Sequence, residues 1–279
     1  MKVARPRSLD ETFDALEAMP DAHLLAGGTD FMVEVNFGHR RPPAVVGLRR
    51  VDDLRGFELQ NGAAVLRSGV TWTEVETQLS GALPALAAAA RTIGSPQMRN
   101  AGTLGGNLGT GSPAGDSLPV LAAMDATVVL ARRGSERILP LAEFIVGVKR
   151  TAIEPGEVIR EVRLPRLDGP QHFLKVGTRN AMVISIVCAA VVVDVAGRTV
   201  RCALGACAPT PLRATEAEQF IAGEMDWATL TAEPAAVRRF GELAAAAAAP
   251  ITDQRGTAEY RRHAVKVITT RALERSLAA

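Results

Sequence analysis

The sequence predicts an α+β protein in two parts: an α/β half on short apolar strands, then antiparallel strands followed by helices. Three observations predict it. Helices with Ser or Thr start signals alternate with short apolar runs as far as Pro165. Beyond Leu167-Asp168-Gly169-Pro170, which has the composition of a linker, longer apolar runs are separated by turns such as Ala196-Gly197-Arg198. From Arg213 to Ala279 the chain is Ala- and Arg-rich and helical in character, broken at Gly223, Pro234 and Pro250. The expected division is residues 1–168, with a subdivision into about 1–55 and 56–168, and then residues 169–279.

The elements follow in order. Ser8 to Met19 is a helix, because Ser8 and Glu11 form a capping box and Leu9, Phe13, Leu16 and Met19 recur at helical spacing. Ala22 to Ala26 is a buried strand running into Gly27-Gly28, and Phe31 to Phe37 suits a short helix with Thr29 as its cap. Pro42-Pro43 breaks the chain before a strand at Ala44 to Leu48, so this first series favours parallel strands. Ala63 to Val70 is a strand, and Thr71 with Glu74 caps a helix to about Leu79. Leu83 to Ala90 is helical by composition, Asp125 to Ala131 is a strand, and Val158 to Leu164 alternates as a strand ending at Pro165. His172 to Thr178, Val183 to Val195 and Thr199 to Cys207 are the strands of the second half.

Bulk properties exclude several functions. The chain has 279 residues, 47% of them hydrophobic, enough for a sizeable core. Lys plus Arg number 32 against 30 Asp plus Glu, with no long basic run, which argues against nucleic acid as a partner. The N-terminal residues carry no apolar signal core, and the longest apolar run, Ala181 to Val193, is too short to span a bilayer; a cytoplasmic protein is expected. Cys188, Cys202 and Cys207 form no Cys-x-x-Cys pair, so three thiols cannot hold a four-thiolate cluster and are expected as small core residues. His23, His39, His172 and His263 lie singly, without metal-ligand spacing. No Ser/His/Asp or Cys/His constellation marks a catalytic centre.

Two glycine loops carry the chemistry. The first, Leu25-Ala26-Gly27-Gly28-Thr29-Asp30-Phe31, joins a strand to a helix start, where glycines admit positive φ and close approach of backbone to an anion. The second lies within Ile93 to Asp116. Seven glycines fall between Gly94 and Gly115, where 25 in 279 residues predicts about two. Its other side chains include Thr103, Asn107, Thr110 and Ser112. Such a stretch cannot make a core, and it sits between well-patterned elements, so a long loop wrapped around a pyrophosphate is expected. Neither loop is a Gly-x-Gly-x-x-Gly or a P-loop signature, which lowers the weight of both folds. Asp116 is either an acceptor for a ribose or ring N–H or a helix-start carboxylate.

Ala26-Gly27-Gly28-Thr29-Asp30, and Arg99-Asn100-x-Gly102-Thr103-Leu104-Gly105-Gly106-Asn107 followed by Ser112-Pro113-Ala114-Gly115-Asp116, resemble the two cofactor loops of molybdenum hydroxylase flavin subunits. These are the FAD-binding medium subunits of the xanthine dehydrogenase and carbon monoxide dehydrogenase type. The resemblance covers essentially the whole chain. It implies a two-part α/β FAD-binding domain of the vanillyl-alcohol oxidase (PCMH) type, then an α+β C-terminal domain of antiparallel strands and helices. It implies FAD held by Leu25, Ala26, Gly27, Gly28, Thr29, Asp30 and Phe31 from the first loop, and by Gly102, Thr103, Gly105, Gly106 and Asn107 from the second. Asp116, Ile93, Ile159 and Lys175 match further positions near the cofactor in relatives. Without the resemblance, Lys175 is a solvated charge on a strand. Branched side chains at Gly105 and Gly106 are expected to fill the space a pyrophosphate needs.

The resemblance further implies an electron-transfer subunit with no catalytic acid or base and no metal of its own. Its partners would be a large subunit with the molybdenum cofactor and a small subunit with two [2Fe–2S] clusters, arranged as a dimer of heterotrimers. Electrons would pass from the clusters through FAD to an external acceptor, and NAD, oxygen and a quinone all remain open. One departure stands out: Gly177 to Ser185 lacks the aromatic and acidic residues that some relatives carry there. Two other functions remain open: a stand-alone FAD-dependent oxidase with its own substrate pocket, and a non-redox nucleotide-binding assembly subunit. Aromatic residues make up only 4% of the chain, with Tyr260 the one tyrosine, and no third, substrate-shaped domain is visible.

Overall fold

A computed structural model describes residues 1–277; Ala278 and Ala279, at the end of the expected helical tail, lie outside the described residues. Strand β1 (Lys2–Ala4) opens the chain, and its three residues are too few to carry a strand signal. Helix α1 (Leu9–Ala18) starts where expected, with the Ser8 hydroxyl accepting from the Glu11 N–H at 3.1 Å. Strand β2 (Ala22–Leu25), helix α2 (Phe31–Asn36) and strand β3 (Ala44–Gly47) follow. The three strands form a parallel sheet in the order β1-β3-β2, as the helix–strand alternation predicts. Two details differ. β2 is half-buried along its length rather than buried, and α2 begins after Asp30, with no side-chain cap bond, rather than being capped by Thr29.

The next stretch runs β4 (Phe57–Gln60), β5 (Ala63–Arg67), α3 (Trp72–Gln78) and α4 (Pro84–Thr92). Thr71 and Glu74 form the predicted capping box, with the Glu74 carboxylate accepting from the Thr71 N–H at 2.8 Å. The expected long loop after Thr92 is instead largely helical: α5 (Pro96–Ala101) and α6 (Leu104–Thr110) occupy it. Ser95 and Thr103 supply the caps, through 3.3 and 3.0 Å bonds from Met98 N–H and Gly106 N–H. Glycine density hid α6, since helix propensity counts against Gly105, Gly106 and Gly109, and α5 is a single short segment of six residues between Gly94 and Gly102. Then come α7 (Ser117–Ala123), β6 (Thr127–Arg132), β7 (Ser135–Pro140), α8 (Leu141–Phe144), the hairpin β8 (Ile145–Gly147) and β9 (Arg150–Thr151), and β10 (Val158–Pro165). β10 crosses back between β5 and β6, giving an antiparallel sheet β4-β5-β10-β6-β7.

The supposed linker is packed. A side chain on Gly169 would place its Cβ 2.0 Å from Val193 O, and Val193 N–H donates to Pro170 O at 2.9 Å. Strands β11 (Gln171–Val176), β12 (Val187–Asp194), β13 (Thr199–Gly205) and β14 (Leu212–Arg213) form an antiparallel sheet in sequence order. β12 starts four residues later than the apolar run suggests, because Val183 to Ile186 belong to the loop before it. Helix α9 (Thr215–Glu224), the small hairpin β15 (Met225–Asp226) and β16 (Thr231–Ala232), α10 (Pro234–Ala247) and α11 (Ala258–Leu277) complete the chain.

β12 explains its own composition. Cys188, Ala190 and Val192 face a core shared with α3, α4, α6 and α7. Val187, Ala189, Val191 and Val193 face the core under α9, α10 and α11. A strand buried on both faces loses the apolar–polar alternation and becomes a continuous apolar run. The sheet of the second half therefore shares a hydrophobic core with the first half, while its helices pack on the opposite face.

Candidate functional site

The two glycine segments meet. A Cβ on Gly27 would lie 1.9 Å from Ala101 O and 2.8 Å from Gly102 Cα, so only hydrogen lets the first loop reach the second. Gly28 takes φ +76°, a left-handed conformation that turns the chain from β2 into α2. On the other side, Trp72 N–H donates to Gly102 O at 3.1 Å, and Leu104 N–H to Val70 O at 2.9 Å. These bonds sew the second loop onto the corner between β5 and α3. Gly105 is small for a reason the sequence does not reveal. Its Cβ would strike Ser68, at 2.5 Å from that Cβ and 2.8 Å from that carbonyl oxygen. A Cβ on Gly106 would meet Thr103 Oγ1 at 3.1 Å and Ala26 Cβ at 3.4 Å. A side chain at Gly105 would thus collide with protein as well as enter the cavity, whereas one at Gly106 meets its neighbours closely without collision.

Between the loops lies a cavity of about 700 Å³. Of the sixteen residues singled out from the sequence, all but Lys175 line it, from Leu25 through Phe31, at Ile93, from Gly102 to Asn107, and at Asp116 and Ile159. The size suits a large organic cofactor. Among the hydrogen bonds of the described residues, none is donated by the backbone N–H of Gly27, Gly28, Thr29 or Asp30. Asn107 Oδ1 accepts from the Ser117 hydroxyl at 2.7 Å, leaving its NH2 as a donor.

Charge on the walls also suits an anion. Arg40, Arg49, Arg55 and Lys149 line the cavity. Its carboxylates are already engaged. Glu34 takes Lys149 at 2.7 Å and Arg40 at 2.9 Å, and the Lys149 bond holds its carboxyl below the usual range. Glu74 is bound to the Thr71 hydroxyl at 2.6 Å. Asp30 has Thr110 Oγ1 at 3.5 Å and Lys149 Nζ at 4.0 Å. Of these carboxylates Glu34 is paired with two cations, while Glu74 is held by hydrogen bonds alone. Residues missed in the sequence include Lys149, Ser68, Trp72 and Met182 to Ile184, all on the cavity wall. Lys149 carries no signal, being one lysine in a short hairpin.

Asp116 stands at the start of α7, but its carboxylate is engaged elsewhere. It sits before α7 with no side-chain cap bond. Oδ2 accepts from Lys175 Nζ at 2.6 Å and Thr92 Oγ1 at 3.0 Å, and Oδ1 accepts from the Ser185 hydroxyl. Lys175 also donates to Thr92 O at 3.3 Å. Its side chain is only 10% exposed, which corrects the picture of a solvated strand charge. Lys175 therefore stands behind Asp116 as seen from the cavity. Ile93, Asp116 and Ile159 form the wall farther along the second glycine segment.

Comparison with known proteins decides the family. Residues 1–167 match the model of the FAD binding domain in molybdopterin dehydrogenase, and residues 172–276 that of the CO dehydrogenase flavoprotein C-terminal domain. The chain belongs to this flavoprotein family. It is similar to the nicotinate dehydrogenase FAD-subunit of Eubacterium barkeri, with 32% identity over 78% of each chain. It is 31% identical to the xanthine dehydrogenase FAD-binding subunit of Escherichia coli O157:H7 over 99% of this chain and 95% of the other. A solved carbon monoxide dehydrogenase from Hydrogenophaga pseudoflava superposes with a TM-score of 0.90 at 30% identity, covering 100% of this chain and 97% of its counterpart. The chain is thus an oxidoreductase subunit whose cofactor is FAD. Its fold is that of the carbon monoxide dehydrogenase medium chain. Among the described residues no helix is long and apolar enough to cross a membrane, and no cluster of three metal-binding side chains occurs.

Proposed function

We propose that this chain is the FAD-binding electron-transfer subunit of a molybdenum-containing hydroxylase. In this reading it receives electrons from [2Fe–2S] clusters of a small partner and passes them through FAD to an external acceptor. A large partner carries the molybdenum cofactor, the assembly is a dimer of heterotrimers, and it works in the cytoplasm. The names of the relatives, dehydrogenases of several small molecules, support the assembly. The observation that carries the reading is the close contact of Gly27 with Ala101 and Gly102, which brings the backbone amides of both glycine loops around one cavity.

Bound flavin supplies two-electron redox chemistry that no side chain of the protein can provide. The chain's own residues bind and orient it. The amides of Gly27, Gly28, Thr29 and Asp30 would hold the diphosphate, with Leu25, Ala26 and Phe31 lining the cavity beside them. Gly102, Thr103, Gly105 and Gly106 form the opposing wall, and the Asn107 amide adds a donor. Ile93 and Ile159 offer apolar surface to the ring. Asp116 holds its place because Lys175, Thr92 and Ser185 share its charge. A stand-alone oxidase needs substrate-binding and proton-transfer groups beside the ring, and Asp116, Glu34 and Lys149 here are spent on internal ion pairs.

Purification of the complex from its native host tests this. The expected result is co-isolation of FAD on this chain with molybdenum- and iron–sulfur-bearing subunits, and bleaching of the flavin absorbance when the complex receives its substrate without air. A chain isolated alone that turns over a substrate with FAD would sink the proposal.

A further inference from the structure

We infer that Arg261, which lies outside the cavity, is a positioning residue for it: its guanidinium fixes the segment ending at Ile184-Ser185 relative to the segment Pro113 to Asp116. This rests on the reading above that FAD fills the cavity, and it makes a residue of α11 one on which that site depends. The observation is two carbonyls on one nitrogen. Arg261 Nη1 donates to Ile186 O at 2.6 Å and to Ala206 O at 2.8 Å.

Those carbonyls stand where β12 and β13 part. Cys188 opposite Gly205 is the last register pair of the two strands at this end. Ahead of β12 the chain comes from the cavity wall: Ile184 lines it, and Ser185 donates to Asp116. Past β13 the chain turns toward the second glycine segment. Ala206 takes φ +60°, a left-handed conformation that a non-glycine residue keeps only when its surroundings hold it there. Its N–H donates to Pro113 O at 2.8 Å. Pro113 leads directly into Ala114, Gly115 and Asp116, all three on the cavity wall. One guanidinium thus joins the two chain segments that reach Asp116 from opposite sides.

Fastening the helix alone does not call for an arginine. Ala264, Val265, Ile268, Ala272 and Leu273 of α11 already pack into the core beneath the sheet. Arg261 is 3% exposed, and its Nε is buried with no acceptor among the described residues. Burying a charge costs desolvation that an apolar side chain of similar volume avoids. What the planar fork adds is geometry, because its donors hold several acceptors at fixed relative positions. The third acceptor sets the fork itself. Asp253 Oδ1 takes Nη2 at 2.6 Å and the Arg255 N–H at 2.8 Å, within a turn bridged from Asp253 to Gly256. That turn packs on the same segment, since a Cβ on Gly256 would lie 3.4 Å from Ile186 Cγ2.

The test uses the full chain as isolated from its host, stripped of FAD and titrated with it. Parent, Arg261→Met, Arg261→Lys and Phe240→Leu are compared; the last opens the core under α10 and leaves every bond of Arg261 in place. Three quantities are read: the Kd for FAD, the visible circular dichroism of the bound flavin, and hydrogen exchange of peptides covering 110–117 and 178–187. Arg261→Met should raise the Kd about tenfold, the equivalent of about 1.4 kcal/mol, change the dichroism and speed exchange in both peptides. Arg261→Lys keeps the charge without the fork and should raise the Kd about threefold. Phe240→Leu should lower the melting temperature and leave Kd and dichroism as in the parent. The inference is overturned if Arg261→Met has the Kd and dichroism of the parent, or if Phe240→Leu alters them as much, which would make Arg261 a fastener of the fold alone. Should Arg261→Met fail to fold, Arg261→Lys decides by the same criteria. A parent chain that takes up no FAD overturns the flavin reading as well, so the two failures are distinguishable.

Discussion

Lys175 Nζ lies 2.6 Å from Asp116 Oδ2, and this ion pair bolts strand β11 of the second half to the segment before α7 in the first. Both partners are largely withdrawn from water, at 10% and 6% side-chain exposure. Removing one partner of such a pair strands the other charge, at a cost of about 3–5 kcal/mol. Asp116→Asn is therefore expected to lower stability by that amount and to weaken FAD retention. Asp116→Asn combined with Lys175→Met should cost less than the sum of the single changes. Urea unfolding of the four proteins measures the coupling. A single-variant cost below about 1 kcal/mol would show that the pair is effectively solvated.

Gly27 predicts a loss of cofactor by a backbone route. The Cβ of Gly27→Ala would sit 1.9 Å from Ala101 O, so the two loops must separate. The Kd for FAD, read by titrating the apoprotein, should rise about tenfold or more, equivalent to about 1.4 kcal/mol of binding. Gly81→Ala is the control, since a Cβ there meets nothing within 4 Å and its φ is not positive. Gly105→Ala should behave differently again, because it collides with Ser68 and so lowers stability as well as FAD content.

How much of this was legible is decided by residue pattern. The capped helix at Ser8, the Thr71–Glu74 box and the parallel strands around Gly27 are written in local sequence, and each appears in the structure. Helix α6 is not, because the glycine needed for close approach to Ser68 and Ala26 suppresses the helical signal, and the six residues of α5 are too few to carry a periodic one. The site residues on the glycine loops announce themselves by composition. Lys149, Ser68 and Met182 do not, because they reach the cavity through pairings and loop folds distant in sequence. Lys175 shows the same limit: strand alternation indicates a charge, and only the fold supplies Asp116 as its partner.

Lys149 predicts a modest, salt-sensitive effect on FAD binding. From the β8–β9 hairpin it reaches Glu34 on α2 at 2.7 Å, spanning the cavity end that holds Arg40. It is half exposed, so pairs of this kind contribute about 0.5–1 kcal/mol. Lys149→Ala should speed FAD release by roughly two- to fivefold at low salt, and the difference should shrink as ionic strength rises. Stopped-flow release against an excess of apoprotein trap reads both. An identical release rate in parent and variant at low salt would remove Lys149 from the site.

Glu157 sets part of the acid limit. Its buried carboxylate accepts from Arg137 Nε at 2.7 Å and Nη2 at 2.9 Å, and from Glu154 N–H at 2.8 Å. The Arg137 bonds hold its carboxyl below the ordinary value of 4.5. The folded state thus binds this proton less readily than the unfolded chain. The stabilisation is full above about pH 4.5 and is lost as pH falls through the depressed value. Glu157→Gln should cost about 2 kcal/mol at neutral pH and flatten the stability profile below pH 4.5. Unfolding midpoints from pH 3 to 7 provide the comparison, and parallel profiles for parent and variant would contradict it.

The three thiols predict chemical silence in the native state. Cys188, Cys202 and Cys207 are buried without disulfides, on the strands and turn at the centre of the second half. Burial raises all three, Cys207 to about 12. Thiolate is the reactive species, so at pH 8 a thiol titrating at 12 is ionised to only about one part in ten thousand. Cys188 has Asp116 as a further source of negative potential, which suppresses its thiolate more. Ellman's reagent at pH 8 should therefore find no reactive thiol in the folded protein and all three after denaturation in guanidinium. Rapid labelling of Cys188 alone would mean that the β11–β12 interface opens readily. That result would also undo the argument that the Lys175–Asp116 pair is held away from water.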